Sequence, residues 1–223
     1  MNAKRIFELG GYFAALVLVA FGIASLVLGV SGRNEVRKDV QREYIVGSPD
    51  MNKTAIAAEA KEAKLPAAIL ATLPTCNVAG KAINSGPRAK CFASYMRIHT
   101  LEATGGFTYS QMGRLAEKPG TPKSELAIGG GTNNPDWALV DLKTKQPVTN
   151  HARDIWVTET ALTTALNTSF FAEQVSLFSI VIGIALMLVG FGLGILAFVA
   201  FRLVPQREAK RAPARTTAKP VTT

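Results

Sequence analysis

Cys76 and Cys91 are the only cysteines of the chain, and His99 and His151 are its only histidines. These four residues bound the chemistry available. Fourteen residues separate the cysteines, whereas redox-active pairs work at close spacing such as C-x-x-C. A structural disulfide is therefore expected, which requires an oxidising compartment. Closing a loop of about 15 residues stabilises by roughly 3 kcal/mol on the chain-entropy model. Zinc held by these cysteines would need more clustered ligands than the sequence offers. His99 and Glu102 stand at i, i+3 on one predicted helix face, which sets an imidazole beside a carboxylate. The expectation is a half-buried histidine satisfied by a neighbour. An iron centre of the two-histidine, one-carboxylate type would have to recruit both histidines and an acid. The sequence carries no H-E-x-x-H, nucleophile elbow or phosphate loop. The glycine run 129–131 neither follows a strand nor opens a helix, and reads as flexibility. No catalytic residue, metal ligand or cofactor is assigned.

The elements that must position these residues are dominated by two apolar runs. No charge lies between Glu173 and Arg202, or between Glu8 and Arg33. The run 174–201 would measure roughly 42 Å as a helix, more than the roughly 30 Å hydrocarbon core, so it can cross a bilayer with tilt. Transmembrane helices are predicted over 9–32 and 175–201. A cleaved leader is the competing reading of the first, but its apolar region would be only about 7 to 15 residues long. Transporters, proton relays and voltage sensors usually need ionisable groups inside their spans; these spans have none. Gly190 and Gly194 form a G-x-x-x-G, and Ser25 with Gly29 or Ala20 with Ala24 offer similar faces, so helix contacts are expected there.

The net charge of +9 is concentrated at one end. Residues 202–223 carry six basic groups against Glu208, while 32–175 carry seventeen basic and fourteen acidic groups. A basic flank beside a span belongs on the cytoplasmic side, so both termini are expected in the cytoplasm (1–8 and a disordered tail, 202–223) of a plasma-membrane protein. Such a tail attracts anionic headgroups by about 1 kcal/mol per basic residue. Nucleic acid is not an expected partner, because no basic face is interleaved with aromatics.

Between the spans, 33–174 should form a small α-rich extracytoplasmic domain on two helical stalks, 33–46 and 150–174. Val36, Val40 and Tyr44 recur at spacing four, and Ile155, Leu162, Leu166 and Phe170 make a matching stripe. Counted outward from the two spans, an antiparallel pair sets Val36 near Phe170, Val40 near Leu166 and Tyr44 near Leu162. The same stripes facing their counterparts in a second copy would make a homodimer. A helix is predicted to open at Ser48 or Pro49, with Asn52 as another possible cap, interrupted at Pro66 and ended at Pro74. Another is expected through KCFASYMRIHTLEAT to Gly105 and Gly106. Thr108 and Gln111 have capping-box spacing for a short helix through Met112, Leu115 and Ala116. Residues 119–149 read as loop with a short hairpin in ALVDLKTKQPVT. The fold class is mainly α: an integral membrane protein with two spans continued as an antiparallel stalk.

REYIVGSPDM, the C-x14-C pair followed by FASYMRIHTLEATGG, and DIWVTETALTTALNTSFFAEQVSLFSIVIGIAL together resemble a group of actinobacterial two-span membrane proteins often labelled "aromatic ring-opening dioxygenase LigA". The resemblance covers most of the chain and implies a cell-envelope protein of this topology. The ring-opening enzymes behind that label are soluble and bind iron, and none of their ligand residues carries over to this sequence. The leading expectation is a non-enzymatic, membrane-anchored structural or accessory interaction subunit, partnered by a second copy or another envelope membrane protein. A small-molecule or envelope-signal sensor is the alternative, and would need an apolar pocket within 48–150. An iron-dependent aromatic ring-opening dioxygenase is the third.

Overall fold

In a computed structural model the backbone is described for residues 3–203 and the side chains for 6–201. The expected disordered tail from 204 onward lies outside the described residues. The chain is mainly helical: α1 (Ala3–Arg42), α2 (Lys53–Glu62), α3 (Ala67–Leu70), α4 (Gly86–Ala103) and α5 (His151–Phe198), with a π turn over Val199–Leu203. Among the described residues there are isolated β-bridges but no strand. α1 and α5 are both long and apolar enough to cross a membrane. The chain divides into two compact units, at 31/32 and at 175/176.

In the first unit, α1 and α5 run antiparallel along a seam of small residues. Ala15, Gly22 and Gly29 on α1, and Gly183, Gly190 and Ala197 on α5, are buried at intervals of seven. A Cβ placed on Gly22 would lie 2.8 Å from the Gly183 carbonyl oxygen, and one on Gly29 would lie 2.7 Å from that of Ser176. The backbones are thus in direct contact, which only glycine permits. A sustained seven-residue repeat winds two helices into a left-handed supercoil. The bulky side chains point the other way: Phe13, Leu16, Phe21, Leu28, Phe178, Leu188 and Leu196 are exposed. So much exposed apolar surface suits a lipid environment.

The G-x-x-x-G glycines differ in what they do. Gly190 is in the seam, where a Cβ would lie 2.9 Å from the Ala15 carbonyl oxygen, whereas at Gly194 it would make only ordinary contact, 3.7 Å from the Ala15 side chain. Ala20 and Ala24 are exposed, while Gly29 is buried. The expected spacing was four; the packing uses seven, the interval at which one face of a helix returns to its neighbour every second turn.

The second unit is built around α4, whose Ala89, Phe92, Tyr95, Ile98 and Leu101 enter a core with Ile56, Val78, Ile83, Met51 and Trp156. Proline in its first turn suits α4 to a helix start. Gly105 and Gly106, both at positive φ, end it, with the Gly106 N–H donating to the Leu101 carbonyl at 2.7 Å. Asn52 caps α2 by accepting from the Thr54 and Ala55 N–H groups. Cys76 and Cys91 are joined by a disulfide, Cα–Cα 6.1 Å. It holds the preceding loop onto α4, where the Tyr95 hydroxyl also donates to the Cys76 carbonyl at 2.6 Å.

α1 stops at Arg42 instead of 46, and Tyr44 takes a left-handed conformation (φ 52) and is 89% exposed. The chain turns there so that Ile45 and Gly47 can pair with residues 81–83, the Ile45 carbonyl accepting from the Ile83 N–H at 2.9 Å. Ile45 therefore takes the place expected for Tyr44, beside Val40, Leu162 and Leu166. Val40 and Leu166 are buried, while Val36 and Leu162 are partly buried against the core. Phe170 lies under the Lys90 ammonium, 4.4 Å from the ring centre. Ile155 is only half-buried; its neighbour Trp156 is the buried residue, its indole N–H donating to the Phe107 carbonyl at 2.8 Å.

The capping box at Thr108 and Gln111 is present but opens one turn of 3-10 helix, Tyr109–Gln111. Beyond it Met112 is extended and Leu115 bridges to Thr132 and Thr149, since backbone pairing across the loop satisfies these groups. The glycine run is not slack. Gly130 and Gly131 adopt positive φ, the Gly130 carbonyl accepts from the Gly113 N–H at 2.9 Å, and the Gly131 N–H donates to Glu117 at 3.1 Å. The run is a turn whose geometry demands glycine.

Candidate functional site

Three places in the second unit combine polar chemistry with unusual surroundings. The first is Glu173, whose side chain is 1% exposed. Its Oε1 accepts from Arg33 Nε at 3.1 Å and from Arg37 Nε at 2.9 Å. Its Oε2 accepts from the Gly86 N–H at 2.6 Å. Gly86 opens α4, and Ser85 supplies no side-chain cap, so Glu173 caps that helix from 87 residues away. A Cβ on Gly86 would lie 2.8 Å from Phe170 Cα; only glycine lets the N–H reach. Burial pushes the Glu173 carboxyl up, but the Gly86 N–H and the two guanidiniums outweigh it and hold the group below the usual carboxylate range.

The second is an exposed face of α5. Val157, Ala161, Thr164, Thr168 and Phe171 are all exposed and alternate at spacings of four and three. That is the a/d spacing of a coiled-coil seam. It is distinct from the stripe of Leu162, Leu166 and Phe170, which is consumed within the chain. Tyr109, Trp156, Val157, Thr160, Ala161 and Thr164 line a groove of about 450 Å³ along it. The Arg153 guanidinium stacks over Tyr109 at 3.9 Å.

The third is a cluster that joins α2 to α4. His99 Nδ1 lies 3.2 Å from Glu102 Oε2, as the i, i+3 spacing implied, and His99 Nε2 lies 3.4 Å from Asp50 Oδ2. Glu59 completes the group: Asp50, Glu59 and His99 each bring one potential ligand atom within 4.8 Å of the others. Asp50 Oδ1, His99 Nε2 and Glu102 Oε1 are buried atoms without a hydrogen-bond partner. Burial raises the Glu102 carboxyl above its ordinary range; His99 pulls it back, and the charges of Glu59 and Asp50 add to the rise.

His151 takes no part in this cluster. It is exposed at the start of α5 and lines a separate groove with Met96, Thr100, Asp154 and Ile155. Sequence reasoning missed Glu173, Asp50 and Glu59. For Glu173 one signal was available, a lone carboxylate beside a long uncharged run; for Asp50 and Glu59 there was none. No family model, characterised protein or solved structure matches the chain.

Proposed function

We propose that the protein is a non-enzymatic, membrane-anchored envelope protein that works as an accessory interaction subunit. In this reading 9–32 and 175–201 cross the plasma membrane, both termini are cytoplasmic and 33–174 lies outside. The disulfide fits such a compartment. The observation that carries the reading is the exposed a/d-spaced stripe on α5, with Val157, Ala161 and Phe171 as its apolar members. A stripe of such spacing along one helix is matched by a helix of the same spacing, and a second copy of this chain supplies one by construction.

Crosslinking of an Ala161→Cys variant in native membranes, with native mass measurement after detergent extraction, tests the proposal. Covalent dimer and a two-chain mass are expected. A different envelope protein captured at this face would replace the second copy as partner. A strictly monomeric protein with nothing co-purifying would overturn the reading. The orientation is tested separately: a membrane-impermeant maleimide should label Lys123→Cys from outside intact cells.

A sensor of small molecules is the second reading. It is favoured by an open groove of about 800 Å³ against α2, lined by Lys53, Ala57, Lys61, Leu70 and Leu73 among others. A ligand held there should shield Lys53 and Lys61 from amine-reactive labelling.

A further inference from the structure

We propose that Asp50, Glu59 and His99 bind a divalent transition-metal ion of the zinc class, with Glu102 orienting the imidazole from behind. His99 Nδ1 faces the Glu102 carboxylate at 3.2 Å, which assigns it the N–H and leaves the Nε2 lone pair free. Nε2 lies 3.4 Å from Asp50 Oδ2, buried and without a hydrogen-bond partner. A lone pair against a carboxylate repels unless a cation lies between them.

The spacing fits an ion. In a tetrahedral site with bonds of about 2.0–2.1 Å, neighbouring ligand atoms stand about 3.3 Å apart, close to the 3.4 Å between His99 Nε2 and Asp50 Oδ2. Glu59 brings a third donor within 4.8 Å. Histidines that ligate metals usually donate their other N–H to a carboxylate, which fixes the tautomer and ring plane. Glu102 stands in that position.

The donors also select the ion. Imidazole suits zinc and its neighbours, whereas an all-oxygen set would favour magnesium or calcium. Asp50, Glu59 and Glu102 crowd three carboxyl groups around one imidazole, and a dication offsets that charge. The ligands come from the turn before α2, from α2 and from α4, so the ion would clamp α2 to α4. Three protein ligands leave a fourth position for water.

The test uses the full chain in detergent, stripped with a chelator and titrated calorimetrically with zinc, magnesium and calcium ions separately. One zinc ion per chain is expected, with a higher melting temperature. His99→Ala and Glu59→Gln should abolish binding, Glu102→Gln should weaken it about 10- to 100-fold, and His151→Ala should leave it unchanged. Glu59→Gln is nearly isosteric, so it reports on the site even where His99→Ala fails to fold. The proposal is overturned if the unsubstituted protein binds no zinc, if Glu59→Gln binds it as tightly, or if magnesium or calcium is preferred.

Discussion

Arg33 Nε donates to Glu173 Oε1 at 3.1 Å across 140 residues of sequence, and from the other side of the same carboxylate the Gly86 N–H starts α4. One buried group thus ties α1, α4 and α5 of the disulfide-bonded unit together. The two guanidiniums are partly exposed, but removing the carboxylate leaves the buried Gly86 N–H without its acceptor, which costs about 1–3 kcal/mol. Glu173→Ala should therefore lower the urea midpoint followed by tryptophan fluorescence far more than Glu173→Gln, which still offers one oxygen acceptor. Equal effects of the two substitutions would mean that side-chain volume, not hydrogen bonding, matters here.

The two elevated and depressed carboxyls should act on stability with opposite signs. Glu102, raised in the folded state, favours folding when protonated. Its contribution is present below the ordinary glutamate value and lost as pH rises through the raised one. Glu173, held low, contributes above the ordinary value and loses that contribution as pH falls through its depressed one. In metal-free protein, the stability gain of Glu102→Gln over the unsubstituted chain should grow from acid to neutral pH. A pH-independent gain would contradict this assignment.

Gly22 and Gly183 set how closely α1 and α5 approach in the first unit. Gly22→Leu would force the backbones apart, and overpacking of this kind costs about 1–3 kcal/mol. A lower melting temperature in detergent is expected. Gly192→Leu is the control, because a side chain there meets nothing within 4 Å; an equal loss in both variants would refute the seam.

Replacing Cys76 and Cys91 together by alanine should cost roughly 3 kcal/mol on the chain-entropy model. The loop they close, 77–90, is otherwise held by the bridges Val46–Ala82 and Gly47–Ala79 and by buried Val78 and Ile83. Thermal melts with and without reductant should show the same loss in the unsubstituted protein, and no effect of reductant on the double variant.

Much of the architecture is written in periodicity. The uncharged runs announce α1 and α5, because a helix of constant rise and no charge is set by composition alone. Period alone did not separate a spacing of four from one of seven in the glycines, although Ala15, Gly22 and Gly29 stand seven apart in plain view. It also ran one turn too far at Tyr44, where the demand of Ile45 and Gly47 for partners at 81–83 outweighs the continuing helical pattern.

The sequence by itself determined the apolar helices, the one possible cystine and the imidazole set beside Glu102, since each follows from composition or from spacing along a single helix. Tertiary structure alone decided that Glu173 caps α4 and that Asp50 and Glu59 converge on His99. Those groups come from separate elements, brought together by docking around α4, and no local pattern in the chain records which distant carboxylate a buried donor will meet.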